Sequence, residues 1–247
     1  MTSDFLPGNY RFIPAVFQYS AGAAALPGYE IERVRFDKWL PLAEGFAATA
    51  TYIKDAGRPL TSFCACELRS PTAFTDEGFR NFNQHYVKTL ADWGIYDGTT
   101  NPVARSNVCP EIDPPSEPSF HAFSFTRPSA AAPRSFVIAG SGEAQEGAAS
   151  YAERTVRYRD LSADGIAEKV RYVVGVMEKR MGEFGYGWQD ATATQTYTVH
   201  DIHPVFAEAI VRRGAARGGL TWHFARPPVI DLEYEMDCRR VLRETVI

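Results

Sequence analysis

The chain has 247 residues, with 26 basic side chains against 30 acidic ones and a formal net charge of −4. That length suits one large domain or two small ones, and dispersed Lys and Arg with a mildly negative balance exclude a nucleic-acid footprint. The opening MTSDFLPGNYRF lacks the regions of a signal peptide, and no run approaches the roughly 18 apolar residues of a membrane span. A soluble cytoplasmic protein without a membrane partner is expected.

In chain order, residues 13–36 are expected to hold the first unit's opening strand. Residues 40–57 follow as an amphipathic helix, with Leu42, Ala43, Phe46, Ala47, Ala50 and Ile53 at helical spacing and Gly57 as its stop. A strand (SFCACELRS), a second helix (GFRNFNQHYVKTLADWG), a strand from Ser106 and a strand SFHAFSFTRP come next. The Pro- and Ala-rich stretch 127–134 reads as a linker. Beyond it, FVIAGSGEAQEG is a buried strand running into a glycine turn. Gly140 and Gly142 lack the full dinucleotide-binding spacing, so no nucleotide cofactor is assigned.

Residues 161–185 form a long helix with Ser162 as N-cap and Gly185 as stop; Ile166, Val170, Val173, Val174, Met177, Met181 and Phe184 make its buried stripe. A strand (ATATQTYTV), a helix over 203–218 with Pro204 in its first turn, and the strands LTWHFARPP and DLEYEMDCRR complete the chain. The order of elements over 40–128 thus recurs over 161–240, which indicates a duplication. The expected units are 1–128 and 129–247.

In the last strand Leu232, Tyr234 and Met236 oppose Glu233, Glu235 and Asp237. Burying the acidic face is costly unless it lines a wet cleft or an interface. Cys64, Cys66, Cys109 and Cys238 match neither a zinc ribbon nor a CxxC pair and read as free buried thiols; no metal is assigned.

The element order, with SGEA after the strand that opens the second unit and ARPPVIDLEYEMDC at the end, resembles the RidA (YjgF) enamine and imine deaminases, most clearly over 135–240 and more loosely over 12–128. The resemblance implies an α+β fold of two tandem RidA-like (chorismate-mutase-like) units, each a mixed β-sheet with two helices packed on one face. Among RidA relatives, the 2-aminomuconate deaminases of aminoaromatic and nitroaromatic degradation are the nearest functional match. General scavenging of reactive enamines and non-catalytic ligand binding are the alternatives. A homotrimer, a small dicarboxylate substrate and no cofactor are also implied.

The family binds a carboxylate through an arginine at the start of the penultimate strand, and PVARSNV places that role on Arg105. A guanidinium offers a planar, permanently charged fork to a carboxylate. In the second unit the same alignment reaches Gly219, with Arg217 two residues upstream. Enamine hydrolysis needs proton transfers at both ends of the reaction, which a carboxyl or an imidazole can supply. Glu235 and His121 are the candidates. Contact between unlike units would bring Glu235 to Arg105, whereas like-unit contact would leave His121 nearest. Asn107, the aromatics Phe17 and Tyr19, and Gly140 with Ser141 are the implied substrate-binding positions. Arg217 and Arg226 are possible partners for a second carboxylate.

Overall fold

The computed structural model describes residues 1–130, 134–145 and 150–247, so part of the expected linker (131–133) and of the glycine turn (146–147) lies outside the described residues. Residues before 26 form three antiparallel strands, β1 (Ser3–Phe5), β2 (Tyr10–Ile13) and β3 (Gly22–Ala25). The first repeat follows as β4 (Tyr29–Pro41), α1 (Leu42–Asp55), β5 (Phe63–Arg69), α2 (Asp76–Asp92), β6 (Ala104–Pro110) and β7 (Ser119–Pro128). The second comprises β8 (Phe136–Gly142), a short α3 (Tyr151–Arg154), α4 (Ala163–Glu183), β9 (Ala193–Tyr197), α5 (His203–Val205) and β10 (Leu220–His223). A two-residue β11 (Ala225–Arg226), then β12 (Glu235–Arg240) and β13 (Arg243–Val246), complete the chain.

Hydrogen bonding sorts these strands into two sheets, β11-β6-β5-β7-β4-β13 and β1-β2-β3-β8-β12-β9-β10. Their central blocks, β6-β5-β7-β4 and β10-β9-β12-β8, have the same order and the same directions. In each, one parallel pair (β5 with β6, β9 with β10) adjoins antiparallel ones. The repeat seen in sequence is therefore a repeat of topology.

The chain's ends cross over. β3 pairs with β8 of the second repeat, while β11 and β13 pair with β6 and β4 of the first. The opening strand of the first repeat is thus β4, and the earlier part of residues 13–36 belongs to the other sheet.

Helices cover the outer face of each sheet. Val170, Val173, Val174, Met177 and Met181 of α4 pack with Phe136, Ile138, Met236 and Cys238. On the other side Phe46, Ile53, Tyr86 and Leu90 of α1 and α2 pack with Phe63, Phe120, Phe123 and Phe125. The inner faces meet through Phe12, Ala23, Ile31, Ala65, Ala104 and Ala139. One expected helix is not regular: after α5 the backbone winds as a π-helix over Phe206–Val211, with Arg212 N–H donating to Ala207 O and Ala215 N–H to Ile210 O. This wide winding still buries Ala209 and Ile210, and Gly214 at φ +95° ends it short of residue 218.

Among the described residues no helix is long and apolar enough to cross a membrane. All four cysteines are free and buried, and burial pushes the Cys66 and Cys109 thiols up to about 12. Because the thiolate is the reactive form, a thiol reagent at pH 8 is expected to label none of them in the folded protein and all four in denaturant. Fast labelling of the native protein would contradict this packing.

Candidate active site

A cavity of about 490 Å³ lies where the two repeats meet, and both contribute to its wall. From the first come Arg105 and Asn107 of β6 and Asp76, Phe79 and Arg80 of α2; from the second, Gly140, Ser141 and Gly142 of β8, Tyr151 and Arg154 of α3, Arg180 of α4 and Glu235 of β12. The loop before β3 adds Gln18 and Tyr19. Asn101 fixes that loop by donating to Phe17 O and Gln18 O. Paired backbone bonds between Phe74 and the Pro228–Ile230 segment hold the start of α2 against the loop that follows β11.

Arg105 is 3% exposed, and among the described residues neither Nη1 nor Nη2 has a hydrogen-bond partner. What surrounds it instead is aromatic: the rings of Tyr86, Tyr19, Phe82 and Phe79 have centroids 4.7, 5.2, 5.6 and 5.8 Å from its guanidinium carbon. Ring faces attract a cation but offer it no acceptors. A buried guanidinium with unused donors at a cavity wall can receive an anion. Asn107 is similar on a smaller scale, for its Oδ1 accepts from Ser70 while its Nδ2 is buried without a partner.

Glu235 sits opposite in kind. Burial, reinforced by the neighbouring Asp237 and Glu143 carboxylates, pushes its carboxyl well above the usual range, and the opposing pull of Arg180 and Arg105 does not cancel this. The shift favours the protonated form, the one that can donate a proton. The rest of the acidic face is accounted for nearby. Asp237 Oδ2 accepts from Ser106 Oγ (2.6 Å) and from Tyr197 OH (2.9 Å), and Oδ1 from Gln195 Nε2 (2.9 Å). Glu143 accepts from Lys169 Nζ (3.1 Å) and from the backbone of Glu233 and Tyr234, tying α4 to the start of β12.

Gly140 permits this arrangement. A Cβ there would stand 2.1 Å from Glu235 Oε1 and 3.1 Å from Ser106 Cα, and its N–H donates to Ser106 Oγ. Gly140→Ala is therefore expected to displace the Glu235 carboxyl and lower kcat/KM by roughly 10²-fold, the usual cost of about 1 Å of misplacement. Its Tm should fall only modestly, as for other overpacked sites. Wild-type turnover in this variant would show that the carboxyl's position is immaterial.

The other sequence candidates lie elsewhere. His121 does not line the cavity: its Nδ1 accepts from Trp39 Nε1 (3.2 Å), its Nε2 is 3.9 Å from Glu67, and burial followed by repulsion from Arg69 pushes it down to about 2. An imidazole held neutral cannot donate a proton as an acid. Phe17 packs against the first-repeat core rather than the cavity. Arg217 is exposed in the turn before β10, and Arg226 is engaged by Glu111 (2.8 Å) and Glu233 (3.4 Å). The cavity's further guanidiniums are Arg80, Arg154 and Arg180, all three missed from sequence. Arg180 stands seven residues beyond Val173 on the stripe that faces the sheet, and a charge on an apolar stripe was the available signal. For Arg154 the signal was the Ser150–Glu153 capping box opening a short helix. β10, which occupies in its sheet the place of β6, reads Leu-Thr-Trp-His and supplies no arginine.

The family model described as "2-aminomuconate deaminase CnbZ" matches residues 2–245. The chain belongs to that family. A curated relative, 2-amino-5-chloromuconate deaminase from Comamonas testosteroni, is 54% identical over 245 residues, covering 98% of each chain. Among solved structures, a chorismatase matches 90% of this CnbZ-family chain and 77% of its own with a TM-score of 0.50 at 11% identity, a likeness of fold alone. The YjgF gene product from E. coli matches 44% of the chain and 81% of its own with a TM-score of 0.33 at 15% identity.

Proposed function

We propose that this CnbZ-family protein hydrolyses a 2-aminomuconate-type enamine acid, releasing ammonia. The observation that carries the reading is that one cavity is lined by both a buried guanidinium with unused donors, Arg105, and a buried carboxyl, Glu235. The family and the 54% identical 2-amino-5-chloromuconate deaminase support the substrate class.

In this reading Arg105 receives the carboxylate beside the amino-bearing carbon, with Asn107 Nδ2 as a further donor. Glu235 gives its proton to the carbon end of the enamine, and the nitrogen lone pair closes a C=N⁺ bond. The resulting carboxylate takes a proton from water as the oxygen adds to that carbon. The proton passes to nitrogen, the C–N bond breaks, and ammonia leaves as the hydroxyl becomes a carbonyl. Enamine and water thus become keto acid and ammonia, and Glu235 recovers its proton. Arg105 stays bound to the carboxylate throughout, so its part is to hold the reacting end in position.

Ammonia release by purified protein from 2-aminomuconate, compared with a short monocarboxylate enamine such as 2-aminoacrylate, tests the proposal. Fast release from the first and slow release from the second are expected. Equal rates would favour general scavenging, and no release from either would favour ligand binding. Assembly into three chains is proposed from the RidA resemblance and is checked by light scattering.

A further inference from the structure

We propose that Arg154, stacked on Tyr151, is a specificity-determining residue that receives the distal carboxylate of the substrate and makes the cavity selective for dicarboxylates. The inference rests on reading the cavity as an aminomuconate site, where Arg105 is committed to the carboxylate at the reacting end. A muconate skeleton brings a second carboxylate at its far end, and that charge needs a partner in a partly desolvated wall.

The cavity's other guanidiniums are unequal. Arg80 is exposed, and Arg180 is turned to the backbone of β8, donating from Nη1 to Ala139 O (3.1 Å) and Gly140 O (3.5 Å). Arg154 is held at both plane and edge. Its guanidinium carbon lies 3.9 Å from the centroid of the Tyr151 ring, and Nη1 donates to Gln145 O at 2.8 Å. That leaves the edge bearing Nε, which is buried and has no partner among the described residues. Nε and Nη2 form the fork that accepts a carboxylate with two parallel hydrogen bonds. Stacking holds the fork rigid before binding, so less rotamer entropy is lost when the anion arrives. Because Arg105 belongs to the first repeat and Arg154 to the second, a dicarboxylate would span the junction.

Calorimetric titration of the intact chain with cis,cis-muconate and with 2,4-hexadienoate, which has the same carbon chain and one carboxylate fewer, isolates the distal group. Wild type is expected to prefer the diacid by roughly 10- to 100-fold, the range for hydrogen bonds to a charged group. Arg154→Gln should bind both acids alike, with its affinity for hexadienoate unchanged. Arg154→Lys should keep part of the preference, and it carries the same comparison if the Gln variant folds poorly. A preference retained in both variants, an equal loss for both acids, or no preference in wild type overturns the proposal. The ammonia assay stands apart from it. Preference through Arg154 without turnover of aminomuconate would remove the proposed reaction and leave this site; turnover with an unchanged preference would remove this site alone.

Discussion

Glu235→Gln is expected to lower kcat by 10²- to 10⁴-fold, the range for a positioned general acid, and at the same time to raise Tm at neutral and alkaline pH. The amide keeps the shape of a protonated carboxyl but has no proton to give, so the chemical step loses its donor while the packing around Gly140 and Ser106 is retained. Stability follows from the raised carboxyl. In the folded chain burial and the neighbouring Asp237 and Glu143 keep Glu235 protonated well above the ordinary 4.5. As pH rises above that value the unfolded chain gives up this proton and the folded chain keeps it, so the folded state binds more protons and stability falls with pH. The loss continues until pH passes the raised folded value. Below about 4.5 both states are protonated, and the Gln substitution should be nearly neutral. Thermal unfolding of both proteins across pH 4 to 9 should show the two curves together at the acid end and parting toward the alkaline end, with the variant higher. A variant less stable than wild type at pH 8 would mean that the carboxyl is ionised and held by Arg105 and Arg180. The alkaline limb of the kcat/KM profile should disappear in the variant with the residual activity.

The parts of this fold written in local periodicity were legible in the sequence. α4 buries Ile166, Val170, Val173, Val174, Met177 and Met181 of the stripe that its spacing singled out, and Tyr234 and Met236 are buried with them, whereas in α1 only Phe46 and Ile53 of the stripe are buried and Ala43 and Ala47 are exposed. What local pattern does not encode is which strand lies beside which. β3 joins β8 and β13 joins β4 across separations that leave no signature in the segments themselves, so the crossing of the chain's ends was invisible. The candidate site divides in the same way. Arg105 could be picked out through the family resemblance that PVARSNV carries, and Glu235 through the same resemblance and an acidic strand face that is expensive to bury. Their meeting at one cavity depends on the packing of two sheets, and only the alternative of contact between unlike units anticipated it. His121 was chosen for its ordinary titration range. Burial beside Arg69 removes that property, and it follows from the fold rather than from the residue type. The aromatics of α2 illustrate the same limit: Phe79, Phe82 and Tyr86 have core spacing, yet they also form the ring-lined wall around a cation.

Replacement of Arg105 should separate function from stability even more sharply. Arg105→Lys and Arg105→Met are both expected to lose at least 10²-fold in kcat/KM, the first because an ammonium cannot present a bidentate fork and the second because no charge remains. Their stabilities should move in opposite directions. Wild type buries a cation whose Nη1 and Nη2 have no acceptors among the described residues, and the effective penalty for such an ion is several kcal/mol. The four surrounding rings return part of this, at about 0.5 to 2 kcal/mol for a cation–π contact, but they leave its donors unused. Methionine fills a similar volume, packs favourably against rings and carries no desolvation cost, so Arg105→Met should raise Tm in the absence of ligand by about 2–4 °C per kcal/mol regained. Lysine concentrates the charge on a more strongly hydrated group and should lower it. Addition of muconate should raise the Tm of wild type, where a carboxylate satisfies the guanidinium, and leave that of Arg105→Met unchanged. A fall in Tm on going to Met would show that Arg105 is a structural cation. Near-normal kcat/KM in the Lys variant would show that the carboxylate is held by another group.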